Sequence, residues 1–242
     1  MTSAKSTTTQ TAKTAAAPKT AQKPPSASNA LTTPTQTLQT FDLLDLQLYT
    51  QEKTYSRTAS KDFHLFYVGR DDVHDILKHV LSRVTISLYL NMFGFDDQEL
   101  NDILMAKALD PKITMLITLD KSQAGGVHEK RLLDSDIAKD PSAFNTHFVI
   151  GQSLTHQITH TKGFVADGRV GGEGSTNWST DGEGTFVITG KVGGPGYKAQ
   201  NNTQSIFTDL DTISRFTAEL ITEHMTAQQQ ATAQSKAKAA AK

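Results

Sequence analysis

Apolar positions recur along the chain at two spacings, and from about residue 60 onward they outline alternating strands and helices. HLFYVGR (64–70) reads as a strand. Asp71 and Asp72 then offer capping carboxylates to a helix whose apolar face is Val73, Ile76, Leu77, Val80 and Leu81. VTISLYLNMF (84–93) is a β-rich, nearly continuous apolar run, which suits a strand buried on both faces. Asp96 and Asp97 precede a second helical pattern, Leu100, Ile103, Leu104 and Ala108, broken before Pro111, and ITMLITLD (113–120) is another buried strand. Strand, helix, strand predicts a parallel crossover and an α/β layered fold: a mixed, mostly parallel sheet flanked by helices on both faces.

Beyond residue 120 the pattern loosens. Residues 121–145 are polar with one helical patch at 131–138, and HFVIG (147–151), ITHTKGFVA (158–166) and SIFTD (205–209) read as further strands. Leu210, Ile213, Phe216, Leu220, Ile221 and Met225 make a helix stripe expected to pack on the core. Between glycines in residues 181–200, TFVITGKV is strand-like and predicts a hairpin. Near the start, FDLLDLQLYT (41–50) predicts a short amphipathic helix.

Composition divides the chain. Residues 1–40 are rich in Thr, Ala, Ser, Pro and Lys and have almost nothing apolar to bury, so they predict a solvated tail; a basic, Ser/Thr-rich transit segment is the sharper alternative, opposed by the absence of arginine before Arg57. The expected organisation is therefore a tail (1–40), a linker helix (41–59), one catalytic domain (60–227) and an Ala/Gln/Lys tail (228–242). No secretory signal or membrane span is read from the pattern, so a soluble protein is expected, with the cytoplasm preferred to the periplasm. The absence of cysteine excludes disulfides, a thiol nucleophile and thiolate metal sites. Outside the first 40 residues there are 20 basic and 25 acidic side chains, so a polyanionic substrate needs a local positive patch.

The segment HTKGFVADGRVGGEGSTN (160–177) concentrates the chemistry. In a strand His160 and Lys162 share a face, with Thr161 on the other. Asp167-Gly168 is a hairpin turn signal, and the glycine-rich return strand delivers Ser175 and Asn177 beside the first. A histidine nucleophile or base, a fixed cation, neutral donors and free backbone N–H groups around one spot are what is needed to hold a phosphate while histidine attacks it.

These residues fit H-x-K-x4-D-x6-G-S-x-N, and the segment resembles the HKD motif of the phospholipase D superfamily, in particular its small single-motif bacterial nucleases. The resemblance covers roughly residues 60–227. It implies a metal-independent, cofactor-free phosphodiesterase in which His160 forms a phosphohistidine, Lys162, Ser175 and Asn177 hold the phosphate, and Asp167 keeps the geometry of the motif. Two motifs are needed per site. The other H-x-K, His128-Glu129-Lys130, lacks the rest of the pattern, so the resemblance implies a homodimer with a shared site. Nucleic acid, DNA or RNA, is the preferred substrate; a phospholipid is the second reading, and a non-catalytic binding module on the same fold the third.

Two departures stand out. Relatives carry a Glu-Asn pair before the strand that follows the motif, where this chain has Gln200-Asn201-Asn202-Thr203-Gln204. Glu173 or Glu183 is the candidate substitute for orienting His160, and His156 a candidate for substrate binding. The other departure is the long 181–200 connection, expected at the rim of the site. A zinc site built from His147, His156 and His160 is the rival chemistry, weakened by the lack of a carboxylate partner.

Overall fold

The computed structural model describes residues 41–120, 131, 146–151 and 160–240, all within one compact unit, Leu38–Lys242. After a 3-10 helix at Leu43–Tyr49 come β1 (Phe63–Tyr67), α1 (Val73–Ser82), β2 (Ser87–Met92), α2 (Gln98–Ala108), β3 (Thr114–Asp120) and β4 (Thr146–Gly151). Then follow β5 (Lys162–Ala166), β6 (Val170–Gly174), two short helices α3 (Thr180–Glu183) and α4 (Thr185–Thr189), β7 (Thr203–Phe207) and the long α5 (Leu210–Ala240). The capping carboxylates work as their positions suggest: Asp72 accepts from the Asp75 N–H, and Asp97 from the Leu100 N–H.

The seven strands form one sheet in the order β1-β7-β6-β5-β2-β3-β4. Alternation along β2 splits its side chains between two layers. Leu88, Leu90 and Met92 join the cluster built by α1, α2 and the 3-10 helix, while Tyr89 packs with Val165, Phe207, Ile213, Phe216 and Leu220 under α5. Helices thus cover both faces, and β2, buried almost throughout and flanked by β5 and β3, is the interior strand its apolar run predicts.

The sheet is mixed but not mostly parallel. Only β2/β3 and β3/β4 run parallel; β1/β7, β7/β6, β6/β5 and β5/β2 are antiparallel. The cause is local for β5 and β6, because the Asp167-Gly168 turn has both residues at positive φ (54° and 62°) and folds the chain straight back. The 181–200 segment also departs from expectation: TFVIT is helical rather than a hairpin strand, enclosed between Gly184 and Gly190, both left-handed at φ 65°. At the other end α5 runs to Ala240, well past residue 227. Among the described residues no helix is long and apolar enough to cross a membrane.

Candidate active site

Antiparallel pairing brings the end of β2, the start of β5, the end of β6 and the start of β7 to the same edge of the sheet. Met92 lies opposite Lys162, Gly163 opposite Glu173, and Gly174 opposite Gln204. The motif is therefore assembled by pairing rather than by sequence proximity alone.

His160 is exposed just before β5, and Lys162 is buried (3% accessible). The Lys162 Nζ donates to the His160 carbonyl at 2.8 Å and lies 4.8 Å from the centre of the Phe93 ring, over which it makes a cation–π contact. Phe93 also meets the His160 ring, centroid to centroid 4.7 Å. Burial holds the Lys162 amine below the usual lysine range, opposed by the charge of Glu173. Thr161 points the other way, its hydroxyl donating to Glu223 of α5 at 3.5 Å. His160 and Lys162 share one face and Thr161 takes the opposite one, as alternation requires.

The next residue along β2's exit serves the other half of the motif. A Cβ on Gly94 would stand 3.0 Å from the Asn177 side chain, so glycine is what lets Asn177 lie against this backbone. The Trp178 N–H donates to the Gly94 carbonyl (2.9 Å) and the Asp96 N–H to the Trp178 carbonyl (2.7 Å), zipping the two loops together. The Oδ1 of Asn177 is buried without a hydrogen-bond partner among the described residues. Phe93 and Gly94, adjacent in the chain, thereby gather His160, Lys162 and Asn177. A cavity of about 450 Å³ opens on the Gly94 and Asn177 side of this cluster, lined also by Phe95, Asp96, Ser179, Thr180 and Asp181, while His160 and Lys162 do not line it.

Ser175 is engaged with β7 rather than free: its hydroxyl donates to Asn202 Oδ1 (3.1 Å) and accepts from the Thr203 N–H (3.1 Å). Asn202, in the stretch where an acid is expected, also donates through Nδ2 to the Gly182 carbonyl at 3.0 Å, so it braces this loop. Asp167 makes no approach to the cavity. Its carboxylate accepts from the N–H groups of Thr85, Ile86 and Ser87 and from the Thr85 hydroxyl at 2.8–3.1 Å, pinning the β5–β6 turn to the start of β2.

Neither candidate substitute acid meets His160 in the geometry seen. Glu173, opposite Gly163, faces the α5 side of the sheet with Ser205 and Phe216. Glu183 is fully buried in a contact with His74 Nδ1. Burial raises the Glu183 carboxyl well above the usual carboxylate range, and His74, which burial alone would lower, is raised by its hydrogen bond and charge contact with Glu183. His156 and the remainder of 152–159 lie outside the described residues. His147 sits on β4, separated from β5 by β3 and β2.

Phe93, Gly94, Asn202 and Glu223 are the contributors that reading along the chain misses. Their signal is positional. Phe93 and Gly94 become visible once β5 is laid antiparallel against β2, Asn202 once β7 is laid against β6, and Glu223 once α5 is packed on the sheet.

The chain matches no protein-family model, and no curated protein matches it. Among solved structures it is similar to Nuc, a phospholipase D family member from Salmonella typhimurium, at 14% identity and TM-score 0.49 over 66% of this chain and 92% of that one. It is also similar to NucT from Helicobacter pylori, at 15% identity and TM-score 0.47 over 68% and 96% of the two chains. A phosphatidylserine synthase from Haemophilus influenzae is a third, at 13% identity and TM-score 0.46 over 65% of this chain and 35% of that one.

Proposed function

We propose that this chain is a phosphodiesterase of the histidine-nucleophile type, acting on nucleic acid as a homodimer that shares one site. One observation supports this reading above the others: His160, Lys162 and Asn177, spread over the whole motif, converge on the consecutive residues Phe93 and Gly94 at one sheet edge.

In the proposed reaction an imidazole nitrogen of His160 attacks phosphorus, the P–O bond to the leaving oxygen breaks, and His160 of the second copy protonates that oxygen. Water then attacks the phosphohistidine, giving up a proton to the same second histidine, and the P–N bond breaks. The Lys162 ammonium spends one of its three N–H groups on the His160 carbonyl, leaving two for non-bridging phosphate oxygens. Asn177 adds an amide beside them. Proton transfer by the second histidine is worth roughly 10²- to 10⁴-fold in rate.

The test is cleavage of plasmid DNA, single-stranded DNA, RNA and phosphatidylcholine vesicles in EDTA by the purified full chain and by His160→Ala. Nucleic acid cut by the wild type only, with loss of at least about 10³-fold in the variant, is the expected result. Equal activity in His160→Ala would refute the mechanism, lipid cleavage alone would make the chain a phospholipase, and binding without cleavage would make it an interaction module.

A further inference from the structure

Behind the site loops three buried side chains meet in the interior, and one of their oxygens, Glu183 Oε1, has no hydrogen-bond partner among the described residues. His74 comes from α1, Asp97 caps α2 directly after the 93–96 loop, and Glu183 ends α3 directly after the 177–179 loop. All three are buried, and one ligand atom from each lies within 4.8 Å of the others. A proton on His74 Nδ1 serves Glu183 Oε2 alone. Asp97 Oδ2 stands 3.7 Å from that nitrogen, beyond hydrogen-bond length, and Glu183 Oε1 is buried without a hydrogen-bond partner among the described residues. Leaving a carboxylate oxygen in that state is costly. Beyond His74 itself, no cation among the described residues stands ready to relieve it: Lys78 is committed to Asp75 (3.1 Å) and Glu99 (2.6 Å), while Asp72 adds a further negative charge close to Glu183.

We propose that His74, Asp97 and Glu183 bind one divalent transition-metal ion, of which Zn²⁺ fits the donor set best. One imidazole nitrogen and two carboxylates are ordinary zinc ligands, with water or the second oxygen of Glu183 as the fourth. Ligands about 2.1 Å from a tetrahedral ion stand about 3.4 Å apart, close to the 3.7 Å between His74 Nδ1 and Asp97 Oδ2. Binding replaces the direct His74–Glu183 hydrogen bond: the Nδ1 proton leaves to solvent and the ion takes its place. On the far side of the ring His74 Nε2 lies 3.5 Å from Glu99 Oε2, near the position from which a carboxylate orients a metal-bound imidazole. The ion would staple α1, α2 and α3, and with them the two loops that carry Gly94 and Asn177; it does not touch the phosphate and is independent of the function proposed above.

The full chain, stripped with chelator and returned to metal-free buffer, is titrated with Zn²⁺ and followed by elemental analysis and thermal denaturation. One retained equivalent per chain and a rise in Tm of at least about 5 °C are expected. Glu183→Gln keeps the shape and Asp97→Asn keeps a good helix cap, so both should fold yet lose the retained ion and the Tm rise. His160→Ala should keep both. No retained ion in the wild type, equal retention in Glu183→Gln and Asp97→Asn, or loss in His160→Ala would overturn the site. Should either substitution prevent folding, Co²⁺ added to the wild-type chain decides: the intense visible bands of a tetrahedral complex at one equivalent support the site, and the pale octahedral spectrum of the free ion refutes it.

Discussion

Two residues of the motif have roles that separate experimentally. Asp167 sits at φ 54° with its carboxylate enclosed by four donors from Thr85, Ile86 and Ser87, so its work is to fix where β5 begins relative to β2. Asparagine tolerates the same backbone but replaces one acceptor oxygen with a donor. Asp167→Asn should therefore cost about 1–3 kcal/mol in urea denaturation, and Asp167→Ala more, because alanine adds strain at positive φ. Unchanged stability in Asp167→Asn would contradict this placement. Lys162 behaves differently, since its amine is held low by burial. As pH rises, its charge and the grip on phosphate disappear at a lower pH than for an exposed lysine. The folded state binds that proton less tightly than the unfolded chain does, so this group's contribution to stability increases over the same range. The proposed nuclease activity should thus fall on the alkaline limb before the fold weakens, and Lys162→Arg, which stays charged, should move that limb upward. A limb at the same pH in both proteins would mean that another group governs it.

At the scale of elements, α5 holds the site from behind. Glu223 accepts from Asn91 of β2 and from Thr161 before β5, so one carboxylate spans the two strands that present Phe93, His160 and Lys162. Burial raises its pKa, the hydrogen bond from Asn91 opposes that, and Glu219 adds to it. A carboxyl raised in the folded state stabilises most when protonated, and that contribution is lost as pH rises through the folded pKa. Glu223→Gln keeps an acceptor for Asn91 and removes the buried charge, so it should raise Tm near pH 7, with the gain vanishing toward about pH 4. A lower Tm at pH 7 would show that the charged hydrogen bonds outweigh burial. These elements were largely legible in the amino-acid order, because periodicity reports burial directly. Val73 to Leu81 and the β2 run became α1 and an interior strand, and His160, Thr161 and Lys162 alternate as a strand must. Strand direction was legible only locally, in the parallel β2–α2–β3 crossover and the Asp167-Gly168 turn, and not between distant strands. Burial is indifferent to it, and β5 pairs antiparallel with β2 across a long separation in sequence. For the same reason Phe93 and Gly94 were invisible as site residues, and the burial of Glu183 against His74 is decided by helices that meet only in the folded chain.

For the whole molecule the decisive question is whether one copy suffices. A single described motif offers one histidine and one buried lysine. A phosphodiester with one partner histidine has a nucleophile but no proton donor for its leaving oxygen. If the second set comes from a twofold-related copy, each site needs both chains intact, because such an interface presents the same patch twice. Co-expressing differently tagged wild-type and His160→Ala chains at equal levels would then give random pairing in which about a quarter of dimers carry two functional histidines. Nuclease activity per total chain should fall to about a quarter of the wild-type value, and the doubly tagged heterodimer, isolated on both tags, should be inactive. A chain that acts alone would retain about half. It would yield no doubly tagged species at all, or one with half the wild-type activity, and either result would remove the shared site while leaving the His160 chemistry in place.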